Sequence, residues 1–333
     1  MGEITSLFAH KVARQVGPGV ETGDALASLG LQPYGAIEPS QMVAAGAYYD
    51  FFAELARRDP DGVTLPLRVG ASMRCDEYGA FGFAWKTATT LAGSYQRAEQ
   101  FGRRLTNVST YTVEPAPGGA YFHLHRAGER HLGLRLSNEA TIASVAAISQ
   151  EVSEGRFVPL GVYFKHEAPG PVEAHEAHFG CLVHFGADRD AILVSAEQLA
   201  AKNRLSDKGL SAYFDRQLAE EIASKAREEG LDQQVRQVLS QQLSDGVPTL
   251  SGVAGALGMG ARTLQRRLAE EGQSFQSVVD AARRELSHQL LRETDYSLAE
   301  IAFLTGFAEQ SGFTRAFKRW SGQTPRSYRL AAQ

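Results

Sequence analysis

The stretch "GFAEQSGFTRAFKRWSGQTPRSYR", residues 306–329, decides how the last third of the chain folds. Phe313 and Phe317 stand four apart, so on a helix they form one apolar stripe. Gln310, Ser311, Thr314 and Arg315 fall off that stripe, and a basic pair, Lys318 and Arg319, follows. Gly306 stands where a preceding helix would end on a residue of positive φ. Upstream, "SLAE" (297–300) is a capping box, in which Ser297 accepts from the third helical amide and Glu300 reaches back. The spacing predicts a helix, a tight turn and a second helix.

The same pattern occurs earlier, in "VAGALGMGARTLQRRLAEEGQSFQSVV" (253–279). Ala254 matches Ala302 and Gly258 matches Gly306, both 48 residues apart. Leu264 matches Phe313 at 49, and Gly272-Gln273-Ser274 matches Gly322-Gln323-Thr324 at 50. The drift falls at turns, where single insertions are tolerated. In this copy Thr249 is the expected cap of a short helix ending near Gly258. Leu264 and Leu268 form the buried stripe, with Arg262, Gln265 and Arg266 off it. A continuous helix over 275–293 is predicted to join the two copies.

Those outward residues suit a DNA major groove. Arginine donates two hydrogen bonds to guanine and glutamine pairs with adenine, each discriminating by ~1–3 kcal/mol. In a helix-turn-helix the second helix is the one offered to the groove. Two such helices joined rigidly about one DNA turn apart would enter successive grooves on one face, ~34 Å apart. Lys318, Arg319 and Arg329 are the candidate phosphate contacts, which add affinity without sequence information.

Bulk properties agree. The chain has 333 residues and a net charge of −4, a length that predicts two domains. From residue 231 onward there are 12 Lys/Arg against 10 Asp/Glu, leaving 22 against 28 in the remainder. The basic surplus therefore sits with the duplicated motif. No apolar run is long enough to span a membrane, no secretory signal is read at the start, and two cysteines imply no disulfide framework. A cytoplasmic protein is expected.

The first two hundred residues mix periods. Residues 1–58 read mostly as helix, with Ser40 as the cap of a helix through "QMVAAGAYYDFFAELARR". "SYQRAEQFGRRL" (94–105) and "NEATIASVAAISQEV" (138–152) are further amphipathic helices. "TYTVEPAPGGAYFHLH" (110–125) reads as a hairpin around a Pro/Gly turn. "FVPLGVYF" (157–164), "CLVHF" (181–185) and "AILVS" (191–195) read as short strands. Residues 206–229 read as a helix whose polar end, "SKAREEGLD", links to the second domain.

With these motifs in view, the chain resembles the AraC/XylS family of bacterial transcription regulators. The carrying residues are "IAFLTGF…FTRAFKRWSGQTPRSYR" and "LSGVAGALGMGARTLQRRLAEEG". The resemblance implies a seven-helix DNA-binding domain whose base contacts fall on Arg262, Gln265, Arg266, Gln310, Ser311, Thr314 and Arg315. The family's small hydroxyl cap before each reading helix is replaced here by Gly260 and Ala308, and alanine caps poorly, at ~1 kcal/mol. "LPLRVGASM", "YGAFGFAWKTATTLAGSYQRAEQFGRRL" and "HEAHFGCLVHFGADRDAILVSAEQLA" resemble the arabinose-binding-type domain of one branch, without naming an effector. The expected fold is an α+β N-terminal ligand-binding domain followed by an all-α DNA-binding domain with two helix-turn-helix motifs. The expected divisions are 1–205 for effector binding and dimerisation, 206–230 for a linker helix and 231–333 for DNA. Expected partners are promoter DNA, RNA polymerase, a small-molecule effector and a second copy in a homodimer. No membrane partner and no cofactor are expected.

Two constellations invite chemistry. His175, His178, Cys181 and His184 in "HEAHFGCLVH" are spaced by three and are all metal-ligand types, so a metal-responsive regulator is the alternative. The first pair reads as helix and the second as strand, so the four need not converge. Tyr78, Phe81, Phe83 and Trp85, with His123 and His125 on a strand, are candidates for an effector pocket; ordinary core and a polar strand face are the competing readings. No GxSxG, HExxH, phosphate loop or CxxC is present. A phosphate-methyl repair enzyme of this domain type would need a cysteine cluster that two cysteines do not supply, so the chain does not read as an enzyme.

Overall fold

The computed structural model describes all residues except 1, 34–36, 38–39, 127–130, 229–230, 244–245, 294–295 and 333. The chain divides into two compact units, Met1–Glu220 and Glu221–Gln333. Among the described residues no helix is long and apolar enough to cross a membrane.

The first unit begins with β1 (Glu3–Thr5), which pairs antiparallel with β2 (Met42–Ala44). This corrects the expectation of helix from Ser40. The helix starts at Ala45, and Met42–Ala44 is extended because Val43 lies opposite Ile4 and both are buried in one core. Helical propensity yields there to pairing and burial with a strand forty residues away.

The main sheet holds β3 (Ser109–Ala116), β4 (Gly119–Arg126), β5 (Gly161–Tyr163), β6 (Val183–His184) and β7 (Ala191–Ser195), in the order β3-β4-β7-β5-β6. The β3–β4 hairpin closes on Pro117-Gly118, with Gly118 at φ +79°, as the second central position of a type II turn requires. Its alternation puts Ala120, Phe122 and Leu124 into the core.

The helix Leu132–Val152 organises this unit. It begins six residues earlier than its sequence pattern predicts, and 14 of its 21 residues are buried. Its Leu134, Leu136 and Ala140 enter the core around the β1–β2 ribbon, while Ile142, Val145 and Ile148 enter the core under the sheet. A helix buried on both flanks shows no clean amphipathic stripe, which hid its first turn. Gly133 lets that turn close on the Tyr49 backbone, where a Cβ would collide.

The helix Lys208–Glu228 spans the expected linker, of which residues 229–230 in "SKAREEGLD" lie outside the described residues. Its first half is integral to the first unit. Leu218 is fully buried, Phe214 stacks on Phe83 at 5.3 Å, and Arg97 grips Asp215 with two bonds of 2.9 and 2.7 Å.

The second unit, among the described residues, is seven helices: Leu231–Gln242, Leu250–Ala256, Ala261–Glu270, Phe275–Glu293, Leu298–Leu304, Gln310–Ser321 and Pro325–Ala332. Each helix-turn-helix has its own core. Leu264, Leu268, Val253, Val278 and Val279 meet in one; Phe313, Phe317, Ile301 and Leu291 meet in the other.

Gly70 tests the packing of the first unit. A Cβ there would lie 2.7 Å from Ser144 N and 2.8 Å from Ala140 O, both backbone of the long buried helix. Gly70→Ala should destabilise the first unit by roughly 1–3 kcal/mol, as overpacking does, read as a lower urea midpoint. An unchanged midpoint would contradict this close helix contact.

Candidate nucleic-acid interface and ligand cavity

The two turns are built alike. In the first copy Thr249 caps its helix by accepting from Gly252 N at 3.1 Å. The helix closes with Met259 N donating to Ala254 O at 2.9 Å around Gly258, φ +67°. In the second, Ser297 and Glu300 complete the capping box at 3.2 and 2.7 Å. Phe307 N then donates to Ala302 O at 2.8 Å around Gly306, φ +74°. Both are the six-to-one closure that a left-handed glycine permits.

The reading helices are Ala261–Glu270 and Gln310–Ser321. Gly260 caps the first without a side-chain bond. The second is capped by Glu309 rather than Ala308, again without a side-chain bond. Ala308 has no acceptor to offer, and the first turn starts one residue later.

Leu264 and Leu268, and Phe313 and Phe317, are fully buried, which turns the other faces outward. Arg262, Gln265, Arg266, Gln310, Ser311 and Arg315 are exposed and Thr314 is half-buried. Arg262 and Arg315 make no ion pair with any described residue. Arg266 pairs with Glu270 at 2.8 Å, an exposed contact one turn away, whose release costs only a few tenths of a kcal/mol, ~0.3–0.5. Lys318 is exposed, and Arg319 stands 3.6 Å from Asp280 on the joining helix. Arg329 differs from the other basic candidates. It is half-buried and donates to Tyr296 O at 2.6 Å, so it ties the last helix to the chain before Leu298.

The joining helix, Phe275–Glu293, contributes Val278, Val279 and Ala282 to the first core and Leu291 to the second. Its Arg283 was not singled out by sequence. The Arg283 guanidinium donates from Nε to Thr305 O at 3.1 Å and from Nη2 to Gly306 O at 2.5 Å, and lies 4.2 Å from the centroid of the Phe307 ring. It holds the second turn by its backbone and its first following side chain. Burial lowers its pKa from the ordinary value, with nearby Asp280 opposing, and an arginine stays charged regardless. Carbonyl partners 22 and 23 residues away leave no local spacing signal.

The first unit contains a cavity between its sheet and its helices. Tyr78, Phe81 and Trp85 line it, with Phe122 and Tyr111 from the sheet and one face of the Leu132–Val152 helix. That face places Ser137, Thr141 and Ser144 toward the start and Val145 and Ile148 toward the end, all at helical spacing. Tyr78 Oη shares a 2.5 Å hydrogen bond with Ser144 Oγ. Burial pushes the Tyr48, Tyr78 and Tyr111 phenols up, so they remain neutral.

Phe83, His123 and His125 stand elsewhere. Phe83 is 39% exposed against Phe214. His123 and His125 stack on each other on the opposite sheet face, bonded to Glu114 at 2.7 Å and Thr112 at 2.6 Å. Alternation along β4 forces this, because Phe122 and Leu124 take the inward positions.

The His/Cys set is dispersed as well. His175 is buried and bonded to Glu139 at 2.8 Å. His178 packs edge-on against Phe179, and burial, then His175, lower its pKa. His184 is exposed and stacks on Tyr163, and burial pushes the Cys181 thiol up to about 11. Among the described residues no three His, Cys, Asp or Glu side chains are grouped to hold a metal ion.

Comparisons with known proteins follow the same division. Residues 19–203 match a family model described as the arabinose-binding domain of AraC transcription regulators, N-terminal, and residues 253–331 match a helix-turn-helix domain. An ornithine utilization regulator of Pseudomonas aeruginosa is 27% identical over 269 residues, 80% of this chain and 78% of that protein. An uncharacterized HTH-type transcriptional regulator of Mycobacterium tuberculosis is 26% identical over 321 residues, 93% of this chain and 91% of that one. A transcriptional activator, NphR, of a Rhodococcus species is 32% identical over 143 residues, 43% and 42% of the two chains.

Arg283→Leu would keep the apolar stem and leave the Thr305 and Gly306 carbonyls without their charged donor. The expected cost to the second unit is ~1.5–3 kcal/mol, measured by urea unfolding. A midpoint equal to the parent's would show that Arg283 does not hold the turn.

Proposed function

This chain belongs to the AraC family of transcription regulators, and from that premise we propose that it reads promoter DNA with two rigidly joined helices under the control of a small-molecule effector. DNA binding and transcription regulation come with the family, whose members here are regulators rather than enzymes. The single observation that carries the reading mechanism is the Phe275–Glu293 helix, which is shared by the two helix-turn-helix cores.

Arg262, Gln265 and Arg266 are the proposed base contacts in one groove, and Gln310, Ser311, Thr314 and Arg315 in the next. Their exposure beside fully buried leucine and phenylalanine stripes supports this. Lys318 and Arg319 take phosphates. The hydrogen bond from Arg329 to Tyr296 favours an internal structural role for that residue.

The first unit, in this account, binds the effector and pairs two copies, in the cytoplasm where promoters are read. Ligand control requires the effector to bind one arrangement of the regulator more tightly than another. Activation by recruiting RNA polymerase beside the promoter is the proposed sign, in keeping with the activator named among the relatives. The alternative of metal control is weaker, because His175 is committed to Glu139 and His184 lies outside.

Selection of bound sequences from random DNA tests the base-reading assignment. Arg315→Ala should relax the preference at one base pair and cost ~1–3 kcal/mol there. Lys318→Ala should weaken all sequences alike and lower the salt slope by about one. Unchanged specific binding by Arg315→Ala would remove the second helix from the groove.

A further inference from the structure

We propose that the cavity of the first unit takes a small, uncharged, mainly apolar molecule with a single ring that carries a hydrogen-bond acceptor. The inference rests on the reading of that unit as an effector-binding domain.

Charge sets the first limit. None of the lining side chains is charged. The tyrosine hydroxyls on the wall stay neutral because burial opposes their ionisation. Arg126 stands behind the hydroxyl end, and its guanidinium already donates to Ser137 Oγ at 2.6 Å and Asn138 Oδ1 at 3.0 Å. An ammonium group in the cavity would be desolvated with no counter-charge, and a carboxylate would meet Arg126 only through the Ser137 and Thr141 hydroxyls, so an uncharged ligand is favoured.

Shape and polarity set the second. Phe8, Phe81, Phe122 and Trp85 supply aromatic wall, and Val145 and Ile148 close the apolar end of the helix face. Such a wall suits a flat hydrocarbon body. A sugar would need a partner for each hydroxyl, and the Ser137, Thr141 and Ser144 hydroxyls, each already bonded within the protein, are too few.

The third observation calls for an acceptor. Trp85 is 1% exposed and lines the cavity, yet its indole Nε1 has no hydrogen-bond partner among the described residues. Indole N–H is a donor only, and a buried donor left unpaired is costly. Its backbone carbonyl, by contrast, is served by Ser94 Oγ at 2.8 Å. A carbonyl or ether oxygen on the ligand would satisfy the indole. Ser137, Thr141 and Ser144 provide further hydroxyls for a second polar group at the other end of the helix face.

Calorimetric titration of the full-length protein with four probes tests this: acetophenone, ethylbenzene, benzoate and L-arabinose. Acetophenone should bind best, and ethylbenzene, of similar shape without the acceptor, about tenfold more weakly. Benzoate and L-arabinose should give no saturable heat. In Trp85→Phe the gap between acetophenone and ethylbenzene should close. A preference for benzoate or L-arabinose, no heat with acetophenone, or an unchanged gap in folded Trp85→Phe each overturns the proposal. Binding to the selected DNA is measured on the same preparation. Specific DNA binding with the wrong probe preference defeats the ligand class and leaves the regulator. Lost DNA specificity with the expected probe preference defeats the regulator reading and leaves the cavity chemistry.

Discussion

One helix, Phe275–Glu293, carries the burden of alignment in the second unit. Its early residues Val278, Val279 and Ala282 are locked in one apolar core and Leu291 in the other. Nineteen residues of α-helix extend ~28 Å, comparable with the ~34 Å between successive major grooves. Rotating one reading helix relative to the other would require breaking this helix or pulling its side chains out of a core. The Arg283 guanidinium adds a direct clamp, from the middle of the helix to the turn before the second reading helix.

That arrangement divides labour between buried and exposed atoms. Phe313 and Phe317 fix the angle of the second reading helix, while Gln310, Ser311 and Arg315 stay in solvent. The first unit follows the opposite logic. Its long helix, Leu132–Val152, is buried along both flanks, and its polar side chains Ser137, Thr141 and Ser144 face a void instead of solvent. Polar groups kept inside a core at that density need partners, and Tyr78, Arg126 and the central helix's own backbone supply some of them.

Much of the second unit was legible because its signals are local. Capping at Thr249 and Ser297, the glycines at 258 and 306, and four-residue stripes all act within a turn or two. The cap at Ala308 misled by one residue because an alanine gives no side-chain marker for where a helix starts. Arg283 was invisible for the complementary reason, since its partners are backbone carbonyls fixed only by tertiary packing. In the first unit the β1–β2 ribbon escaped notice because "MVA" next to a strong helix former reads as more helix until Ile4 is placed opposite Val43. Tyr78, Phe81 and Trp85 were legible as a group, but Phe83 two residues on points away to Phe214. The hydroxyl face of the long helix came from residues that sequence alone marks only as small and polar.

The most direct test of the rigid double reader is a hydroxyl-radical footprint on a selected site and on the same site with ~5 base pairs, about half a turn, inserted between its two halves. Two protected segments about one turn apart on one face of the parent site are expected, with loss of one segment and weakened binding on the inserted site. Two segments that simply move apart with the insertion, at unchanged affinity, would show that the two helices are not held together by Phe275–Glu293.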